Sequence, residues 1–164
     1  YNFSKADVEI LDLYSNLTAS QDQQSLREDQ RAWLDSSLRQ SDAKWKIATH
    51  HHPVLSERYP ELVSDFVDLY EAHKVDLGLV GHHHNYLRSW PLRGDMPVAE
   101  EGVIYIQLGG GGGNLSDRPR QPDLRWAKTY QGYGYSIISV IGDQLDYRKN
   151  DDHGAMRDTL TITK

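Results

Sequence analysis

The chain has 164 residues, 38% of them hydrophobic, which suits one domain with its own core. Its formal charge is −6, from 18 lysines and arginines against 24 acids, and that sign argues against a nucleic-acid surface. No apolar run approaches the ~18 residues a membrane span needs, and with no cysteine there are neither disulfides nor thiolate metal sites.

The chain opens on Tyr1 and its only methionines are Met96 and Met156, so an upstream segment removed by processing or excision is expected. VEILDLY, Val8 to Tyr14, alternates as a strand does. Ser25-Leu26-Arg27-Glu28 fits a capping box, predicting a helix that starts there with Leu26, Trp33, Leu34 and Leu38 on its apolar face. KWKIATH, Lys44 to His50, reads as a second strand. Leu62, Phe66, Leu69 and Tyr70 share one face of a second helix, roughly Glu61 to His73. VDLGLVG, Val75 to Gly81, lacks alternation and reads as a strand buried on both faces. GVIYIQL, Gly102 to Leu108, is another strand and runs into five glycines. Arg118 to Asp123 is proline-rich and charged, a surface loop. YGYSIISVIG, Tyr133 to Gly142, is a further strand. DQLDYRKN and DTLTITK make two more, joined by a turn at Asp151 to Gly154. The pattern is α/β first, then mostly β.

Two histidine triplets stand out, THHHPVLS at Thr49–Ser56 and GHHHNYLR at Gly81–Arg88. Each follows a predicted strand, and the strand–helix–strand unit between them makes those strands parallel. Parallel strands end on one edge of a sheet, so both triplets face the crevice where open α/β sheets bind ligands. Imidazoles gathered with their lone pairs available are metal ligands. For a lone histidine the plainer reading is a surface loop residue; two triplets on one sheet edge favour the metal.

These residues resemble a known family. WKIATHHHPVLS is similar to the segment of calcineurin-like metallophosphoesterases with a metal-binding histidine two places before a proline. GHHHNYLRSWP resembles that superfamily's GHxH signature, and Tyr86, Arg88 and Pro91 resemble its purple acid phosphatase branch, where the signature extends to GHxHxYxR. Gln30, Trp33, Leu34, the strand IYIQLGGGGG and the closing hairpin also suit that branch.

The resemblance implies an α/β fold: residues 1–164 form the C-terminal half of a metallophosphoesterase β-sandwich flanked by helices (α/β/β/α), supplying one sheet with its helices and ending in a β-hairpin. It implies hydrolysis of phosphate esters at two metal ions, iron, zinc or manganese. His51 and His82 match ligands of one metal and His84 a ligand of the other. His50, His52 and His83 match no ligand position; the readings open for them are support of the ligands, a place facing substrate, or filler at the crevice rim. The family's aspartate, asparagine, tyrosine and acid-histidine residues come from an N-terminal block that does not precede Thr49 here, so an N-terminal half is the expected partner. A secreted or periplasmic location is implied by the branch. The alternatives are a non-catalytic metal-binding module and an interaction domain that retains the fold.

Two motifs are set aside. Gly142-Asp143-Gln144-Leu145-Asp146 spells the family's GDxxD but lies between two strand-like runs, as a hairpin turn would; Gly94-Asp95 is another turn. Gly109 to Gly113 lack the lysine and hydroxyl residue of a P-loop, so they are expected to give permissive backbone beside the crevice. Leu115 to Lys128 is the region expected to set substrate selectivity.

Overall fold

Three layers build up from the apolar patterning in the computed structural model, which describes residues 1–5, 7–16, 21–56, 58, 60–116 and 123–164. The central layer is a seven-stranded sheet in the order β1-β2-β3-β4-β8-β5-β9. Its strands are β1 (Asn2–Lys5), β2 (Val8–Asp12), β3 (Trp45–His50), β4 (Leu77–Val80), β5 (Tyr86–Ser89), β8 (Ile104–Leu108) and β9 (Trp126–Tyr130). β6 (Leu92–Arg93) and β7 (Met96–Pro97) form a small ribbon around the turn at Gly94-Asp95.

One face of the sheet carries the helices. α1 (Gln21–Gln40) places Leu34 and Leu38 in a cluster with Leu11, Ala48, Phe66, Tyr70 and Tyr105. The predicted second helix forms as a π-helical turn, Val63–Val67, leading into α2 (Asp68–Ala72). Its predicted face Leu62, Phe66, Leu69 and Tyr70 is buried. α1 departs from the sequence reading at its start. It begins at Gln21, so Ser25 lies inside the helix and caps nothing, and Leu26 is 53% exposed rather than in the core. Gln21, Gln23 and Gln24 ahead of Ser25 have good helix propensity, which lets the helix begin before it.

The other face packs on a three-stranded sheet of β10 (Gly134–Ile141), β11 (Gln144–Asp151) and β12 (Met156–Thr163). Trp45, Ile47, Tyr86, Ile106, Leu145 and Tyr147 meet in a second core between the sheets. The chain therefore brings a second, three-stranded sheet as well as one sheet with its helices. The GDxxD look-alike is the β10–β11 hairpin turn, with Ile141 paired to Gln144 and Gly142 at φ +55°. Residues 118–122 of the predicted proline-rich loop lie outside the described residues.

β3 and β4 are adjacent and parallel, with His50 beside Val80. β4 in turn pairs in parallel with β8, placing Val80 beside Gln107. This register brings the two histidine triplets and the glycine run to one edge of the sheet.

Candidate metal centre

Where β3 and β4 end, His51 and Gly81 leave the sheet together, tied by a Gly81 N–H donated to the His51 carbonyl at 2.9 Å. The chain then turns sharply. His83 N–H reaches the Gly81 carbonyl at 2.8 Å, and Asn85 N–H the His83 carbonyl at 2.8 Å. His82 sits at φ +65°, in the left-handed region that side-chain-bearing residues rarely adopt. Such strain gathers at functional sites, where the surroundings hold it.

The turn aims His82 at His51. His82 Nδ1 lies 3.3 Å from His51 Nε2. The His52 ring stands 4.9 Å from that of His51 and 4.7 Å from that of His82, centroid to centroid. The ligand atoms of His51, His52 and His82 all lie within 4.8 Å of one another. Zinc–nitrogen bonds of about 2.0–2.1 Å make the edge of a tetrahedron roughly 3.3–3.4 Å. The His51–His82 separation fits that edge, so these residues fit a metal ion with nitrogen ligands.

His52 is fixed by Ser15, a buried residue just past β2. The Ser15 hydroxyl accepts the backbone N–H groups of His51 at 3.1 Å and His52 at 2.9 Å. The Ser15 carbonyl stands 3.0 Å from His52 Nδ1. Sequence reading missed Ser15, because no local pattern links it to a histidine 37 positions away.

Burial chiefly lowers the pKa of His82, with the charges of His52, His83 and His51 adding to it. Burial also lowers His52 against the opposing effect of Ser15, and lowers His83, where the Arg58 charge contributes next. Neutral imidazoles are the form that binds metals.

His84 is held separately. Its Nδ1 lies 2.6 Å from the Asn114 carbonyl. A carbonyl can only accept, so Nδ1 carries the proton and Nε2 presents the lone pair. Fixing a tautomer through a carbonyl is how ligating histidines are oriented. Ser116 braces the same residue, its hydroxyl accepting the His84 N–H at 2.9 Å and its N–H reaching the His84 carbonyl at 3.0 Å.

The glycine run is shaped to these histidines. A Cβ on Gly113 would come 2.5 Å from His84 Cε1, and one on Gly109 would come 1.8 Å from the His83 carbonyl oxygen. The backbone contact at Gly109 is an approach that only glycine permits, and at Gly113 a Cβ would displace the His84 ring.

His83 places its ring 5.0 Å from that of His82. His50 is turned the other way. It is buried on the helix side, 5.1 Å from the Phe66 ring, and neither ring nitrogen has a hydrogen-bond partner. Burial pulls its pKa down to about 4.

Tyr86 and Arg88 of the GHHHNYLR motif point at the small sheet. Tyr86 donates its hydroxyl to Asp158 on β12 at 2.7 Å, and Arg88 grips the same carboxylate through Nε at 2.6 Å and a terminal nitrogen at 3.1 Å.

No protein-family model matches the chain. It is 44% identical over 119 residues to purple acid phosphatase 4 of Arabidopsis thaliana, covering 68% of this chain and 32% of that protein. It is 31% identical over 109 residues to the Arabidopsis thaliana protein named "Probable inactive purple acid phosphatase 1", covering 58% of this chain and 18% of that one. The chain thus spans less than a third of the length of either relative. In structure, 99% of it superposes on 32% of the purple acid phosphatase PPD1 from yellow lupin (Lupinus luteus) seeds, with a TM-score of 0.83 at 19% identity. The fold is calcineurin-like, of the purple acid phosphatase type, and the chain matches the C-terminal part of that fold.

Proposed function

We propose that the chain carries the histidine side of a dinuclear metal centre that hydrolyses phosphate esters. The observation that carries this reading is the 3.3 Å approach of His82 Nδ1 to His51 Nε2 on a shared sheet edge, within a motif similar to that of purple acid phosphatases. His51 and His82 are assigned to one metal and His84, through Nε2, to the second. His52 completes the group around the first, and His83 faces the substrate. His50, enclosed by Phe66 and Tyr70, is assigned a packing role behind the centre.

Iron, zinc and manganese all accept this donor set once carboxylates join it. When bound, such ions polarise phosphoryl oxygens and supply a hydroxide nucleophile near neutral pH. The chain's own part is to fix the imidazoles: Ser15 holds the His51–His52 backbone, Asn114 sets the His84 tautomer, and the glycine run passes close against His83 and His84. The carboxylate, asparagine and proton-donating residues are assigned to an N-terminal half of the same domain, and a secreted or periplasmic setting suits the branch.

The test is to combine the chain with such a half from a purple acid phosphatase and measure hydrolysis of a phosphate monoester. Activity of the pair, absent from either part alone, is the expected result. Full activity of the chain alone, or none from the pair, would sink the proposal.

A second reading, a metal-binding module without catalysis, is favoured by one observation. The ligand group found among the described residues is three imidazoles with no carboxylate. One tightly held metal per chain with no affinity for phosphate would select it.

A further inference from the structure

A cavity of about 490 Å³ opens where β1 and β2 meet the C-terminal end of α1. It lies away from the histidine edge: Glu9 in its wall pairs with Lys46 at the start of β3, whereas His50 ends that strand. The lining is polar. It includes three acids, Asp7, Glu9 and Asp42, the hydroxyls of Ser37 and Ser41, and the Asn2 amide.

Glu9 carries the argument. It stands on the helix side of β2 with Leu11 and is 5% exposed. Its Oε1 accepts a hydrogen bond from Asn2 Nδ2 at 2.8 Å. Its Oε2 is buried and has no hydrogen-bond partner among the described residues. A buried carboxylate oxygen left in that state is costly unless a donor or a positive charge completes it.

The surroundings ask for a cation. No lysine or arginine is among the described lining residues, and Ala6, outside the described residues, bears no charged side chain. The nearby cations are turned elsewhere. Arg39 pairs with Asp35 and Lys44 with Asp143. Lys46, beside Glu9 in the sheet, directs its Nζ to the His73 carbonyl at 3.4 Å. Lys5 alternates to the opposite face of β1 from Asn2. α1 ends here at Gln40, and the last carbonyls of a helix carry partial negative charge.

The spread of the acids narrows the ligand. Among the described residues, the group whose ligand atoms all lie within 4.8 Å is the histidine trio, not these three carboxylates. Calcium gathers about 6–8 oxygens at roughly 2.3–2.6 Å and needs convergent donors. Positive charges set apart on one molecule suit this lining better, and a volume of about 300–1,000 Å³ is that of a small-molecule site.

We propose that this cavity binds an aliphatic di- or polyamine, one ammonium group on Glu9 Oε2 and a second at Asp7 or Asp42. The site is independent of the phosphate-ester reading.

The experiment is calorimetric titration of the full chain at low ionic strength with 1,4-diaminobutane, spermidine, butylamine and calcium chloride. The two polyamines are expected to bind one per chain and to weaken as salt is added. Butylamine, with a single ammonium group, should bind on the order of 10-fold more weakly. Glu9→Gln keeps the shape and an acceptor for Asn2 while removing the charge, and should cost about 10-fold or more in polyamine affinity. Asp42→Asn, at an exposed position, should cost less, and Asp152→Asn, in the distant β11–β12 turn, nothing. Without amine, the denaturation midpoint of Glu9→Gln should be no lower than that of the wild type, because the charge removed has no counter-ion among the described residues. No binding of either polyamine, unchanged affinity in Glu9→Gln, or calcium bound more tightly than the amines and lost in Glu9→Gln would each overturn the proposal. So would a lowered midpoint in Glu9→Gln, which would mean that the carboxylate already has a structural partner.

Discussion

Asp158 holds the two sheets together at the strand that follows the GHHH turn, and replacing it with asparagine tests that role. Its carboxylate takes hydrogen bonds from Tyr86 and twice from Arg88, with side-chain exposures of 7% for Asp158 and 12% for Arg88. Tyr86 in turn lies parallel to Tyr147 of β11, ring centroids 6.4 Å apart, and the Tyr147 hydroxyl meets Ser136 of β10 at 2.7 Å. Asp158→Asn keeps the shape and removes the charge, leaving the Arg88 guanidinium without its counter-ion. Breaking a buried pair costs about 3–5 kcal/mol, and the residual exposure of Arg88 places this one near ~3 kcal/mol. Urea denaturation followed by tryptophan fluorescence measures it as a fall in midpoint at constant slope. Replacing both partners, Arg88→Met with Asp158→Leu, should recover most of the loss, because no charge is then stranded. The pH dependence gives a second handle. Burial would raise the Asp158 pKa, but the bonds from Arg88 and Tyr86 outweigh it and hold the group below its ordinary value of 3.8. A lowered folded pKa contributes stability above the unfolded pKa and loses it as pH falls through the folded one. The gap between wild type and Asp158→Asn should therefore be full above about pH 4 and close below it. A loss under about 1 kcal/mol, or additive single and double variants, would refute the reasoning.

Three further outcomes are expected. Ser15→Ala strands the backbone N–H groups of His51 and His52, so stability should fall by about 1–3 kcal/mol per unsatisfied group and zinc affinity by about 10-fold or more; denaturation and calorimetry read the two separately. Gly113→Ala drives a Cβ into the His84 ring, so an NMR titration should show zinc-induced shifts preserved at His51 and His82 and weakened at His84. Leu38→Ala empties a site 2% exposed beneath α1 and should cost about 2–5 kcal/mol with zinc binding unchanged.

The elements nearest the site were legible because their patterns are strong. β3, β4 and β8 are short apolar runs, and the crossover length between β3 and β4 settles their direction. What escaped reading lacks such patterns. β1, NFSK, is an exposed edge strand, and β5, YLRS, hides inside the motif that follows the histidines. The alternation in β5 is real, with Tyr86 and Arg88 both reaching Asp158, but its partner lies 70 residues away. The capping box at Ser25 was misleading because a local signature cannot report that the helix has already begun. At the site, spacing pointed to the edge shared by His51 and His82. It could not show that His50 turns to the helices while His52 turns to Ser15, a choice made by tertiary packing.

Among the described residues the histidine group holds no carboxylate, and that has a measurable consequence. Three imidazoles are neutral ligands, so an ion bound by His51, His52 and His82 keeps its full positive charge and an open position for an anion. Inorganic phosphate should fill that position. If so, metal and phosphate are linked: the factor by which zinc raises phosphate affinity must equal the factor by which phosphate raises zinc affinity. Calorimetry can measure both legs on the full chain, zinc with and without saturating phosphate, then phosphate with and without zinc. A factor of about 5-fold or more would show that the metal and the anion bind in a coupled way. His82→Ala should reduce both factors toward one, because it removes the ligand that meets His51 at 3.3 Å. Factors near one in the unaltered chain would mean that the histidine edge does not bring metal and phosphate together, and the phosphate-ester reading would lose its physical basis.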